Sequence, residues 1–317
     1  MEHEFTWGLP VILYLFLAGV GAGAVTVSAS ILLRSGGGHT HRHFKLARYG
    51  AYLGPILVPL GTTLIVGELG RPFRMFNLFK VINLSPMNIG SWLLILFIFT
   101  SILYAITFLP VFLPWLKGIL HWFRRYRTAL AWTNLPLGIG VALYTGVMLG
   151  AMPSRPLWNS PILALLFLVS ALSTATAAIL LTAALSKQKS DDPDADYHKS
   201  AYLLSASDLM LIGFELTVIF LFVMFSHLTI GNVKYAIEIL LPGGEMAFMF
   251  WFWVVTIGLV IPAILELRYV VPKLLYQRSY AAPKMAEITV SALVLIGGFM
   301  LRYVIVVAGQ LTGPVGL

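Results

Sequence analysis

The chain has 317 residues, of which 59% are hydrophobic and only 11% charged; with a mean hydropathy of +0.88 it is far from a soluble domain, where roughly a quarter of residues are charged. These values exclude a soluble globular enzyme and indicate a polytopic membrane protein. The formal charge of +8 flanks apolar runs, so it reads as topology signal and attraction to anionic headgroups rather than nucleic-acid binding, and with no cysteine the chain by itself cannot hold an iron–sulfur cluster, a disulfide or a thiolate metal site.

Apolar runs of helix length fall at about 9–33, 50–67, 90–109, 130–150, 160–184, 203–225, 247–267 and 286–309. Each is near the roughly 20 residues that cross hydrocarbon. None alternates over about ten residues as a barrel strand does. The expected fold is therefore all-α, with eight transmembrane helices, here spans 1 to 8. The leading MEHEFTW lacks the positive n-region of a signal peptide, so span 1 is expected to be retained.

Lysine and arginine set the orientation. Loops after odd spans carry 15 of the 21 basic residues, against five in loops after even spans. The odd loops are expected in the cytoplasm and both termini in the periplasm, with the protein in the inner membrane. The stretch GELGRPFR, 67–74, then faces outward against that charge rule. Either Arg71 and Arg74 are tolerated there, or they act at the outer surface. A second Arg-Pro pair, Arg155-Pro156, follows span 4 as Arg71-Pro72 follows span 2. The loop SKQKSDDPDADYHKS, 186–200, lacks the turn glycine and terminal Glu of a calcium loop. It reads as a polar cytoplasmic linker between residues 1–185, holding spans 1 to 5, and residues 201–317, holding spans 6 to 8.

The seven histidines all avoid the middle of a span. A haem with two histidine ligands inside the bilayer is therefore not expected, and no metal site is assigned; the cluster His39, His41, His43 reads as a solvated basic loop. Polar groups do gather near the outer ends of the early spans. Tyr14 lies in the first turns of span 1, Glu68 ends span 2, and Tyr144 lies about two turns from the outer end of span 4. A carboxylate is costly to ionise near hydrocarbon. Beside a phenol it suits a quinone headgroup, whose redox chemistry moves two protons with two electrons and whose ring oxygens need donors or acceptors. The plainer reading is interfacial: Tyr favours headgroup depth, and Glu68 pairs with Arg71 or Arg74.

Deeper charges lie in the last spans. Asp208 and Glu215 are seven residues apart on one face of span 6. Glu266 ends span 7 on the inner side, and Arg302 lies within span 8. Buried opposite charges pair, which makes Glu215–Arg302 a candidate ion pair. The functional alternative is a proton route from the cytoplasm through Glu266, Asp208 and Glu215, tuned by Arg302. The run AGVGAGAVTVSAS, 18–30, predicts close helix packing. Pro55, Pro59, Pro136 and Pro262 fall inside spans and predict kinks.

Taken together and in order, TWGLPVILYLFLAGVGAGA, GELGRPFRMFNLF, SPMNIGSW at 85–92, YTGVMLGAMPSRPLWNSP at 144–161 and FMLRYVIVVAGQLT at 299–312 resemble the NrfD/PsrC family. That family comprises quinone-interacting membrane subunits of polysulfide reductase, formate-dependent nitrite reduction and related complexes. The resemblance implies a quinone-binding bundle made by the first four helices near the outer face. It implies an exchangeable menaquinone or ubiquinone, with no haem and no iron–sulfur cluster in this chain. It implies a periplasm-facing iron–sulfur subunit, usually joined to a molybdopterin catalytic subunit, and leaves room for a higher oligomer. By motif, Glu68 matches an acidic position and Tyr144 a tyrosine position at the quinone site, with Gly67 beside Glu68. Tyr14 stands where a relative carries a quinone-contacting histidine. Arg71 and Arg155 would hold the pocket rim or dock the partner. Against this redox subunit stand two other readings: an ion or proton-coupled transporter without redox role, and a passive anchor. The terminal substrate belongs to another subunit.

Overall fold

A computed structural model describes residues 7–34, 44–68, 77–80, 84–110, 117–186, 193–276 and 283–313. Among the described residues all regular structure is helical. Eight helices are long and apolar enough to cross a membrane: Leu9–Arg34, Phe44–Gly67, Pro86–Ile106, Arg127–Gly150, Pro161–Leu185, Ala201–Leu228, Met249–Leu275 and Lys284–Leu311. They are spans 1 to 8, and the multi-pass all-α fold is as expected. Two boundaries differ. Span 2 starts at Phe44, not near residue 50, because Lys45 and Arg48 ride on its first turns, and long basic side chains at a helix end can extend their charged heads to water. The helix of span 6 starts at Pro193 and runs to Leu228, so it takes in the second half of the polar segment 186–200.

Local chemistry starts two of the helices. Ser85 and Ser160 cap spans 3 and 5, each accepting a backbone N–H at 3.3 Å, from Asn88 and Ile162 respectively. Pro86 and Pro161 follow the caps, at a position where the missing N–H costs nothing.

Span 1 is the central helix, packed against spans 2, 4 and 5. Its small residues make this possible. A Cβ on Gly21 would lie 2.7 Å from Val58, and one on Gly23 would lie 2.4 Å from the Ala171 carbonyl. The partners return the favour: Gly54 and Gly138 admit Val25 and Thr26 of span 1. Span 5 packs against span 1 on one side and spans 6 and 8 on the other, so it joins the early spans to the late ones.

Span 7 departs from regular geometry. Met249–Val260 is π-helical, and an α-helix runs on from Ile261 to Tyr276. The wide turn ends just before Pro262, where an α-helix would lose a backbone bond. Thr256 Oγ1 donates to the Trp251 carbonyl five residues back, at 2.9 Å. This segment crosses span 8 at Gly258 and Gly297, whose backbones touch.

The two chain ends meet at one end of the bundle, called here the terminal end. Trp7 N donates to Gln310 Oε1 at 2.9 Å, and Gln310 Nε2 donates to the Trp7 carbonyl at 3.1 Å. Trp158 packs against Trp7 in a tilted arrangement, with 5.2 Å between ring centroids and 35° between planes, and donates to the Ile305 carbonyl at 2.7 Å. At the opposite end Arg127 is buried between Phe44 and Phe108, 5.0 and 4.7 Å from the ring centroids, and donates to Thr107. It is thus a packing element of the bundle, in addition to a loop charge.

Candidate functional site

The first cluster sits at the terminal end, on spans 1 to 4. Tyr14 and Tyr144 are both buried, and their phenols lie close enough to interact electrostatically. Neither hydroxyl has a hydrogen-bond partner among the described residues. Tyr144 reaches across to span 3 because Gly90 is there. A Cβ on Gly90 would fall 1.7 Å from the phenol ring and 2.3 Å from its oxygen. Gly61 of span 2 similarly lets the Tyr14 backbone approach, with 3.3 Å between its Cβ position and the Tyr14 Cα.

Glu68 ends span 2 and is exposed. One carboxylate oxygen lies 3.1 Å from where a Gly8 Cβ would be, so Glu68 closes over the start of span 1. Gly67 is exposed, and its Cβ position meets nothing within 4 Å. Arg155 points along the rim: its Nη1 donates to the Gln310 carbonyl at 2.7 Å, where a cation complements the carbonyl end of a helix. Arg71 and Arg74 lie outside the described residues, as do His39, His41 and His43.

The second cluster runs through spans 5 to 8. The Ser173 hydroxyl donates to Asp208 Oδ1 at 2.8 Å. Asp208 is within electrostatic reach of Glu215 on one side and Glu266 on the other. All three carboxylates and Arg302 are buried. Glu215 and Arg302, the pair expected from sequence, interact electrostatically, and Ser170 bridges them. Arg302 Nη1 donates to the Ser170 hydroxyl, and Ser170 in turn interacts with Glu215. Arg302 also donates to the Gly298 and Phe167 carbonyls, at 2.9 and 3.3 Å. A guanidinium spreads its donors over several acceptors, so one carboxylate does not capture it.

Sequence reasoning missed Ser170 and Ser173. Their signal was the run SALSTATAA in an otherwise apolar span, since buried hydroxyls there mark polar contacts between helices. It also missed Glu287, buried on span 8, and Asn134, which exchanges two hydrogen bonds with Thr100 of span 3 at 3.0 and 3.1 Å. Among the described residues no group of three or more His, Cys, Asp or Glu is arranged to hold a metal ion.

The chain as a whole is similar to known proteins. The family model for polysulphide reductase, NrfD, matches residues 1–314. The chain belongs to the NrfD family. Among its relatives, the C subunit of the polysulfide reductase of Wolinella succinogenes is 29% identical, over 96% of this chain and 94% of the relative. Protein NrfD of Escherichia coli is 28% identical, over 97% of this chain and 96% of its own length. The NrfD homolog of Haemophilus influenzae is 28% identical over 97% and 95%. The NrfD match therefore extends across both clusters.

Proposed function

We propose that this protein is the membrane subunit of a respiratory oxidoreductase complex in the inner membrane. It binds menaquinol or ubiquinol at the terminal end, which faces the periplasm, and its electrons leave to an iron–sulfur subunit docked there. That partner belongs with a molybdopterin catalytic subunit, which carries the terminal substrate. The observation that supports this best is the pair of buried tyrosines, Tyr14 and Tyr144, which interact electrostatically within the early spans. A phenol hydroxyl both donates and accepts, and a quinol ring offers oxygens that match it. The bound quinol supplies two electrons and two protons.

The chain's own groups divide the remaining work. Tyr14 and Tyr144 orient the ring by its oxygens. Glu68, exposed at the rim, takes a proton and returns it to water on the periplasmic side. Arg155 holds the loop after span 4 to the end of span 8, which fixes the rim on which the partner sits. Arg71, three residues after Glu68 in the sequence, is assigned the same role by its motif. Electrons delivered and protons released on one side store no gradient by themselves. A separate proton route through Glu266, Asp208 and Glu215, with Arg302 tuning it, is the proposed role of the second cluster.

The Glu266 carboxylate, unpartnered among the described residues, favours a second reading, a proton-coupled transporter without redox role. Co-purification separates the two: a redox subunit comes with cysteine-rich partners, and a transporter is complete alone. The direct test is quinol oxidation by the purified complex, comparing wild type with Glu68→Gln and Tyr144→Phe. Assembly is checked by gel filtration. Loss of a general acid–base group is expected to lower turnover by about 10²–10⁴-fold in Glu68→Gln. Full turnover in both assembled variants would remove the pocket assignment.

A further inference from the structure

Glu266 is 3% exposed, and both of its carboxylate oxygens lack a hydrogen-bond partner among the described residues. It lines a cavity of about 10 Å³ together with Ser205 of span 6, Tyr269 of span 7 and Glu287 of span 8. That is roughly the space one water-sized sphere needs. Glu287 is equally buried. One turn further along the same face of span 8, the buried Ser291 hydroxyl also lacks a partner among the described residues. Glu266, Glu287, Ser205 and Tyr269 therefore line, from three helices, a space for a single small occupant.

No surrounding cation among the described residues hydrogen-bonds Glu266. Span 6 contributes Asp208, which interacts with Glu266. Span 5 presents Leu180. On span 7, Lys273 is engaged with the Tyr202 ring, 4.0 Å from its centroid, and Arg268 is exposed. On span 8, Lys284 lies one turn before Glu287, at the exposed start of the helix, and both residues have interactions of their own. Arg302 serves Ser170, four turns further along span 8. A buried carboxylate left bare is costly, and the Asp208 carboxylate beside it adds to that cost. A positive occupant offsets both.

We infer that the Glu266–Glu287 cavity is a binding site for one exchangeable monovalent cation, a proton or a sodium ion. Two carboxylates with hydroxyls supply the hard oxygen ligands that a small cation takes, with too little negative charge for a typical calcium site. The site lies in the half of the bundle away from the chain termini, next to Asp208. It would thus be the loading point of the proposed route. The inference deepens that route, and it is tested without quinol, so its failure is distinguishable from failure of the quinone pocket.

The test is carbodiimide labelling of the intact complex in lipid nanodiscs, with dicyclohexylcarbodiimide as probe and peptide mass spectrometry as readout. The reagent attacks a protonated carboxyl in an apolar site. A site open to exchange is expected to label at Glu266 faster as pH falls, and Glu266→Gln removes the label. If sodium is the occupant, sodium chloride but not choline chloride slows labelling, by about tenfold at ten times its dissociation constant. If the proton is the occupant, pH dependence persists and sodium has no effect. Either pattern supports the site and names its ion. Absence of label at Glu266, or labelling that neither pH nor sodium changes, describes a closed structural acid and overturns the inference. Glu287→Gln, checked for assembly by gel filtration, is expected to alter the pH or sodium response. An unchanged response in that variant overturns the shared cavity.

Discussion

Arg302 is fully buried in span 8, and its surroundings explain how a guanidinium is kept there. Gly19 and Gly298 leave room for it, with their Cβ positions 3.4 and 3.5 Å from its nitrogens. Its plane lies over Phe167, 5.1 Å from the centroid, and its donors reach Ser170 and two backbone carbonyls. The contributions are unequal. Ser170→Ala removes both hydrogen bonds of the bridge, each worth about 0.5–2 kcal/mol inside a membrane protein. Arg302→Met removes the charge and leaves Ser170 and Glu215 without it, so a larger loss of about 3–5 kcal/mol is expected. Thermal denaturation of the purified complex in detergent checks the ranking, and equal shifts would count against the bridge. Gly67 offers the opposite case. Its open surroundings make Gly67→Val cost no more than about 0.5 kcal/mol in stability. If quinol lies over it, turnover still falls several-fold, which a steady-state assay beside a melting curve would reveal. At this scale the sequence revealed the ionisable groups, because charge is rare in apolar spans. It did not reveal Ser170 as the bridge, because a serine at one of many hydroxyl-bearing positions carries no mark of which helix it faces.

At the scale of elements, the crossing of spans 7 and 8 is set by Gly258 and Gly297. A Cβ on Gly297 would lie 2.3 Å from the Gly258 Cα, and backbone cannot yield as a side chain can. Gly297→Val is expected to cost at least about 1–3 kcal/mol by overpacking. It should lower the melting midpoint and the yield of assembled complex, whereas Gly118→Ala, with nothing within 4 Å of its Cβ position, should change neither. The eight spans were legible because twenty-residue apolar runs have few other solutions in a bilayer. So was the packing stripe on span 1. The π-helical half of span 7 was not. Pro262 marked a disturbance, but the extra residue per turn accommodates Gly258 against span 8, a contact between segments far apart in the chain.

For the whole molecule, the meeting of Trp7 with Gln310 requires both chain ends to lie at one end of the bundle, which agrees with an even number of crossings. The basic residues predict that this end faces the periplasm. The absence of cysteine from the chain makes it testable without background from this subunit. Ser154→Cys, exposed on the loop after span 4, is expected to react with an impermeant maleimide in intact spheroplasts. Ser186→Cys, exposed after span 5, should react only once the membrane is opened. The reverse pattern would invert the orientation and move the proposed quinol site to the cytoplasmic face.

The sequence by itself determined the membrane class, the eight spans and the identity of most ionisable groups within them. Each is a local property: apolar length against hydrocarbon thickness, and charge against the cost of burying it. Tertiary structure decided which groups meet. It seated Tyr144 against Gly90 within electrostatic reach of Tyr14, set Ser170 between Arg302 and Glu215, and joined Glu287 to Glu266 around one cavity. Those meetings depend on how far neighbouring helices rotate and approach, and that is fixed by small residues on both partners at once, which no single stretch of chain specifies.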